Sequence, residues 1–157
     1  MTSRLSHVDD RGRATMVDVG AKEPMHRRAV AEGFFVARAE TIDAVMNGRL
    51  PKGEALAVAR VAGIIAAKRC DELIPLCHSL PIEAVQVDFE RVDGGIRIVG
   101  SASVTGKTGV EMEALTAVSV AALTLYDMTK AIDKQLRIDG ITLLEKTKVR
   151  VPQPDVG

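Results

Sequence analysis

Asp127 and Lys130 stand three residues apart, the spacing that sets two side chains on one helix face within pairing reach. A lysine beside a carboxylate can do general acid–base work, the carboxylate either holding the amine near a neutral pKa or orienting it. On spacing alone a solvated ion pair is the commoner reading. Position argues for chemistry, because the pair falls where a long apolar segment turns abruptly charged, at Asp127, Lys130, Asp133 and Lys134. The same segment opens with two more carboxylates, Glu111 and Glu113, behind the run Gly106-Lys107-Thr108-Gly109. Both ends of one element therefore carry groups able to move protons.

The Gly106-Lys107-Thr108 run looks like the end of a phosphate-binding P-loop. That motif needs a glycine five residues before its Gly-Lys pair, and Ser101 stands there instead. What remains is a strand-to-helix turn whose helix N-terminus can attract an anion. His78 lies in Leu76-Cys77-His78-Ser79-Leu80, between Pro75 and Pro81. A lone histidine in such apolar company is either a satisfied structural residue or a site residue, and spacing does not choose. Cys70, Cys77 and His78 fall short of a zinc site, for want of a fourth ligand at plausible spacing. Lys52, Lys146 and Lys148, taken singly, read as solvated charges at element ends.

Composition narrows the function classes. The 157 residues suit one domain with a real core, and 46% hydrophobic with 27% charged residues is ordinary for a globular protein. Net charge is zero, aromatics make up 3% and there is no Trp, so neither phosphate attraction nor base stacking points to nucleic acid. Cys70 and Cys77 are expected as reduced thiols in a cytoplasmic protein. Residues 1–16 have no apolar core of a signal peptide, and no stretch is long and apolar enough to span a membrane.

The elements that must position these groups follow from periodicity. From Thr105 to Lys134 the chain has no proline, and no glycine between Gly109 and Gly140, which predicts one long helix. Between Met112 and Tyr126 only Glu113, Thr116, Ser119 and Thr124 are more polar than tyrosine, so this helix is expected to be buried on more than one side. Ahead of it, residues 1–15 are expected as a flexible tail and 16–20 as a strand end or ordered loop. Residues 27–38 predict a strand with a bulge at Gly33. Thr41 is expected to cap a short helix over 42–46, which Asn47-Gly48 ends. A second helix over 54–73 is rich in small residues. Val85, Val87 and Phe89 alternate with polar residues as a strand over 83–90, and Asp93-Gly94-Gly95 turns it back into a strand from Ile96. Strand material returns at 136–138 and 141–144, and 151–157 is expected as a tail. The order β-α-α-β-β-α-β predicts an α+β, ferredoxin-like sandwich, an antiparallel sheet covered by helices, as a single catalytic domain over 16–150.

Longer runs carry a resemblance. Met-Val-Asp-Val (16–19), Lys52-Gly53, Ala-Gly-Ile (62–64), Ala-Ala-Lys-Arg (66–69), Leu-Ile-Pro-Leu-Cys-His (73–78), the run 105–117 and Val-Ala-Ala-Leu-Thr-Leu-Tyr-Asp-Met-Thr-Lys-Ala (120–131) closely resemble the MoaC family. Its members are the cyclic pyranopterin monophosphate synthases of molybdenum cofactor (molybdopterin) biosynthesis. The resemblance spans about residues 15 to 150 and implies a lyase acting on 3′,8-cyclised dihydro-GTP, closing a cyclic phosphate and releasing pyrophosphate. It implies Asp127, Lys130 and Lys52 as catalytic residues. Substrate contacts carry over to Leu76, Cys77, His78, Met112 and Glu113, and through looser flanking motifs to Glu111, Arg27 and Lys146. It further implies a ferredoxin-like homohexamer, a trimer of dimers with sites at subunit interfaces. No metal ligands and no cofactor are expected, beyond Mg2+ travelling with the triphosphate.

Two other classes compete on fold alone. A ferredoxin-like RNA-binding module needs aromatic residues on its central strands, and 96–104 contains none. A ligand-sensing oligomer without catalysis would need no Asp127/Lys130 pair and would keep its output in Asp127→Ala.

Overall fold

Four strands, β1 (Met25–Val36), β2 (Ala84–Val92), β3 (Gly95–Gly106) and β4 (Arg137–Arg150), form one antiparallel sheet in the order β2-β3-β1-β4. The computed structural model describes residues 7–154. Its helices are α1 (Ala39–Met46), α2 (Ala55–Lys68), α3 (Cys70–Leu73) and α4 (Glu111–Thr129). Each half of the chain is a strand–helix–strand unit with a strand of the other half between its two strands. That is the ferredoxin-like sandwich the element order predicts.

One sheet face is covered. Ala29, Ala31 and Phe35 of β1, Ile96, Ile98, Ala102 and Val104 of β3, and Val87 of β2 are buried beneath the helices. α4 lies over β1, β3 and β4, and α2 packs against α4 and β2. Small residues let these layers close. A Cβ on Gly63 of α2 would stand 2.7 Å from the Ala117 carbonyl of α4, and one on Gly33 of β1 would stand 2.8 Å from Val118. Both glycines serve close approach rather than flexibility. The expected bulge lies around Gly33, but the extra residues sit in β4: register shifts fall between Val30/Ala31 and Glu32/Phe34 of the β1–β4 pair, while β1 pairs regularly with β3.

Several expected boundaries move. The long helix starts at Glu111, because Thr105 and Gly106 remain in β3, paired with His26 and Met25. It stops at Thr129, short of Lys134, because Asp133 is drawn into the core. The Asp133 carboxylate accepts from the Arg38 backbone N–H (3.0 Å), the Thr41 hydroxyl (2.8 Å) and the Gln135 N–H (2.8 Å). Burial by itself would raise this carboxyl, but those donors and the Arg38 guanidinium hold it below the usual range. Thr41 is therefore committed to Asp133 and does not cap α1; Arg38 occupies the cap position. The helix predicted over 54–73 breaks at Arg69, and α3 turns Cys70 in beneath α4, 3.5 Å from the Thr116 hydroxyl. Residues 137–150 make one strand rather than two fragments, with Leu136 left outside it and Gly140 at φ 57. Residues 7–15 fold back on themselves through a Val8–Ala14 bridge, with Asp9 accepting from the N–H groups of Arg11 and Arg13. Residues 1–6 and 155–157 of the expected tails lie outside the described residues.

Candidate active site

Residues expected in one site gather at the two ends of α4. At its C-terminal end Asp127 and Lys130 pair at 2.7 Å, on the shared helix face that their spacing dictates. Lys52 arrives from the turn before α2, where Gly53 takes φ 98, and reaches the same carboxylate at 3.6 Å and the Asp127 carbonyl at 3.2 Å. One exposed carboxylate thus lies between two ammonium groups. The Lys130 hydrogen bond, then the charges of Lys130 and Lys52, hold the Asp127 carboxyl below its ordinary range. The same bond raises the Lys130 amine above its usual value. An adjacent carboxylate stabilises the cation, so within one chain the pairing favours an orienting role for Asp127 over an amine held near neutral pKa. The pair presents a charged lysine held by a carboxylate, an arrangement able to donate a proton or to hold an anion.

At the N-terminal end a cleft of about 200 Å3 opens between β1, β4 and the start of α4, lined by Arg27, Gly109, Glu111, Lys146 and Lys148 among others. Arg27 stands directly opposite Lys148 in the β1–β4 register. Like charges placed so cost stability in a sheet, so this pairing favours an anion between them. Lys146 lies 3.4 Å from Glu111, and Arg27 donates to the carbonyls of Gly106 (3.1 Å) and Lys107 (3.4 Å). Lys146 and Lys148 belong to the body of β4, not to element ends. The α4 N-terminus adds its free backbone N–H groups beside the cleft.

Behind this end lie Cys77, His78 and Glu113. Val17 accepts a 2.6 Å hydrogen bond from His78 Nε2; a carbonyl can only accept, so Nε2 carries a proton. His78 is thus held in place by residues 16–20, an ordered loop, and Lys107 fastens the same loop by donating to the Gly20 carbonyl. Glu113 is buried, and Cys77 Sγ lies 3.8 Å from its Oε1. Burial, reinforced by the charges of Glu111 and Asp71, raises the Glu113 carboxyl despite the hydrogen bonds it accepts. Burial also pushes the Cys77 thiol up to about 12. Leu76 and Met112 are exposed.

A carboxyl raised in the folded chain is bound to its proton more tightly there than in the unfolded one. Stability is then highest at or below the ordinary value of 4.5 and falls as pH rises through the raised one. Glu113→Gln removes that slope. Its melting temperature should exceed the wild-type value at neutral pH, and the difference should vanish in mild acid. A lower melting temperature at neutral pH would mean that the ionised carboxylate stabilises the fold.

Within one chain the two ends do not meet. Asp127 lies fourteen residues beyond Glu113 on a continuous helix, about 21 Å at 1.5 Å per residue. The Lys52–Asp127–Lys130 group and the Arg27–Glu111–Lys146 cleft with Cys77, His78, Met112 and Glu113 are separate groups on the monomer. Sequence reasoning left Lys107, Lys148 and Cys70 outside the site, reading Lys107 as part of an incomplete P-loop, Lys148 as a solvated charge and Cys70 as one of too few zinc ligands. The alternation of Lys146 and Lys148 was the available signal for a shared strand face; the place of Cys70 beside Glu113 depends on α3 turning it inward.

A family model, described as MoaC family, matches residues 16–149. A cyclic pyranopterin monophosphate synthase of Corynebacterium efficiens is 57% identical over 145 residues, covering 92% of this chain and 94% of that protein. Proteins of the same name from Novosphingobium aromaticivorans, 56% identical over 90% of both chains, and Desulfitobacterium hafniense, 56% identical over 91% of this chain and 88% of its own, are similarly alike. The span of the family model includes both ends of α4, and the chain belongs to the MoaC family.

Proposed function

We propose that this protein is a cyclic pyranopterin monophosphate synthase, a lyase that rearranges 3′,8-cyclised dihydro-GTP and releases pyrophosphate in molybdenum cofactor biosynthesis. The observation that carries the reading is the Lys52–Asp127–Lys130 group at the end of a helix whose other end borders a cationic cleft. Arg27, Lys146 and Lys148 offer charge to a triphosphate and to the departing pyrophosphate. Charged Lys130, oriented by Asp127, donates a proton as rings open and reclose, and Lys52 offsets the negative charge that develops. Glu113 and His78 bracket the pterin-forming end, with Leu76, Cys77 and Met112 as its apolar wall.

The two groups serve one substrate when a second copy lies antiparallel across α4. Exposed Met112, Leu123 and Tyr126 lie on one side of α4, the side that carries Asp127 and Lys130, while Val58, Val61 and Ile65 are exposed on α2. An apolar stripe of this kind fits a partner's copy of itself. Closure across it sets the Glu113 end of one chain beside the Lys130 end of another and dries the Asp127–Lys130 pair. The trimer of such dimers follows from the family resemblance. A cytoplasmic location fits a substrate derived from GTP; among the described residues no helix is long and apolar enough to cross a membrane. Incubation of purified protein with the cyclised intermediate should yield one pyrophosphate per substrate consumed, alongside the cyclic phosphate product. Substrate that is bound and returned unchanged would favour the sensing reading.

A further inference from the structure

Cys70, Cys77 and Glu113 come from α3, the proline-bounded loop and α4, and their side chains converge. Cys70 Sγ lies 3.9 Å from Cys77 Sγ, and all three donor atoms fall within 4.8 Å of one another. Two sulfurs about 2.3 Å from a tetrahedral zinc ion stand roughly 3.8 Å apart, and a sulfur and a carboxylate oxygen on it roughly 3.5 Å. The observed 3.9 Å lies close to the first separation, and the 3.8 Å from Cys77 Sγ to Glu113 Oε1 needs only a small inward movement to reach the second. A second observation points the same way. Glu113 is 2% exposed, and its Oε2 has no hydrogen-bond partner among the described residues. A buried carboxylate oxygen without a donor is costly, and a cation satisfies it. Asp71 and Glu111 add negative charge around the cluster.

We propose that Cys70, Cys77 and Glu113 form a binding site for a soft divalent cation, Zn2+ or Cd2+, with two sulfur ligands, one oxygen ligand and a fourth position on the half-buried Cys77 side. As the ion binds, each thiol gives its proton to solvent and its sulfur bonds the metal. Sulfur donors select Zn2+ and Cd2+ over Mg2+, which takes oxygen ligands. The ion withdraws Cys77 and Glu113 from the substrate pocket and so inhibits; this consequence, unlike the binding itself, rests on the synthase reading.

The test uses the full chain, kept reduced with a phosphine and titrated with Cd2+. An ultraviolet thiolate-to-metal charge-transfer band should saturate at one ion per chain, and Zn2+ should displace it. Cys70→Ala, with its fold checked by circular dichroism, should weaken Cd2+ binding by about a hundredfold or more. If that variant unfolds, Cys77→Ala, on the loop, gives the same reading. No band, or a band undiminished in both variants, overturns the site. Zn2+ should inhibit turnover of the wild type and leave turnover of Cys70→Ala resistant. Tight binding without inhibition would leave the metal site standing and remove Cys77 and Glu113 from the pocket instead.

Discussion

Lys130→Ala and Asp127→Ala should each lower kcat by about 10²–10⁴-fold while leaving the fold unchanged. The two side chains are exposed in the monomer and pair mainly with each other and Lys52, so removing one takes little from the core. The two losses should not add. Asp127 pairs with Lys130 and raises its amine, so on the proposed mechanism Asp127→Ala/Lys130→Ala should be little worse than the more damaged single variant. A double variant showing the product of two independent losses would separate the roles. Near-normal turnover in either single variant would remove the pair from the chemistry.

The second large effect concerns chains rather than residues. Glu113→Ala and Asp127→Ala proteins should each be inactive alone. After co-refolding in equal amounts, half of the dimers are mixed, and each mixed dimer has one pocket with both native residues and one with neither. About a quarter of all pockets should therefore recover, with native KM. The prediction rests on about 21 Å of continuous helix between the two positions and on exposed Leu123 and Tyr126 between and beside them. No recovery, with subunit exchange shown independently, would mean that each pocket is built within one chain.

Local signals sufficed for much of the framework. Val85, Val87 and Phe89 alternated as a strand must, Asp93-Gly94-Gly95 turned it, and an Ala/Leu segment without proline marked α4. The Asp127–Lys130 pair was legible for the same reason, since three residues on a helix fix proximity whatever the remainder of the chain does. The motif runs added Lys52, Cys77, His78 and Glu113 as expected site members.

Tertiary structure alone decided what lies far apart in sequence. It placed Lys52 against Asp127, Arg27 opposite Lys148, and Cys70 beside Cys77 and Glu113. It also ended α4 early, because Asp133 finds three donors in the core where periodicity saw only more helix. Charge states belong here too: the raised Glu113 carboxyl and the raised Lys130 amine follow from burial and from a neighbour's hydrogen bond. Periodicity is a property of one segment and its own backbone geometry, so a sequence carries it openly. Burial, register and the meeting of distant side chains depend on how segments pack, and the folded chain alone sets them.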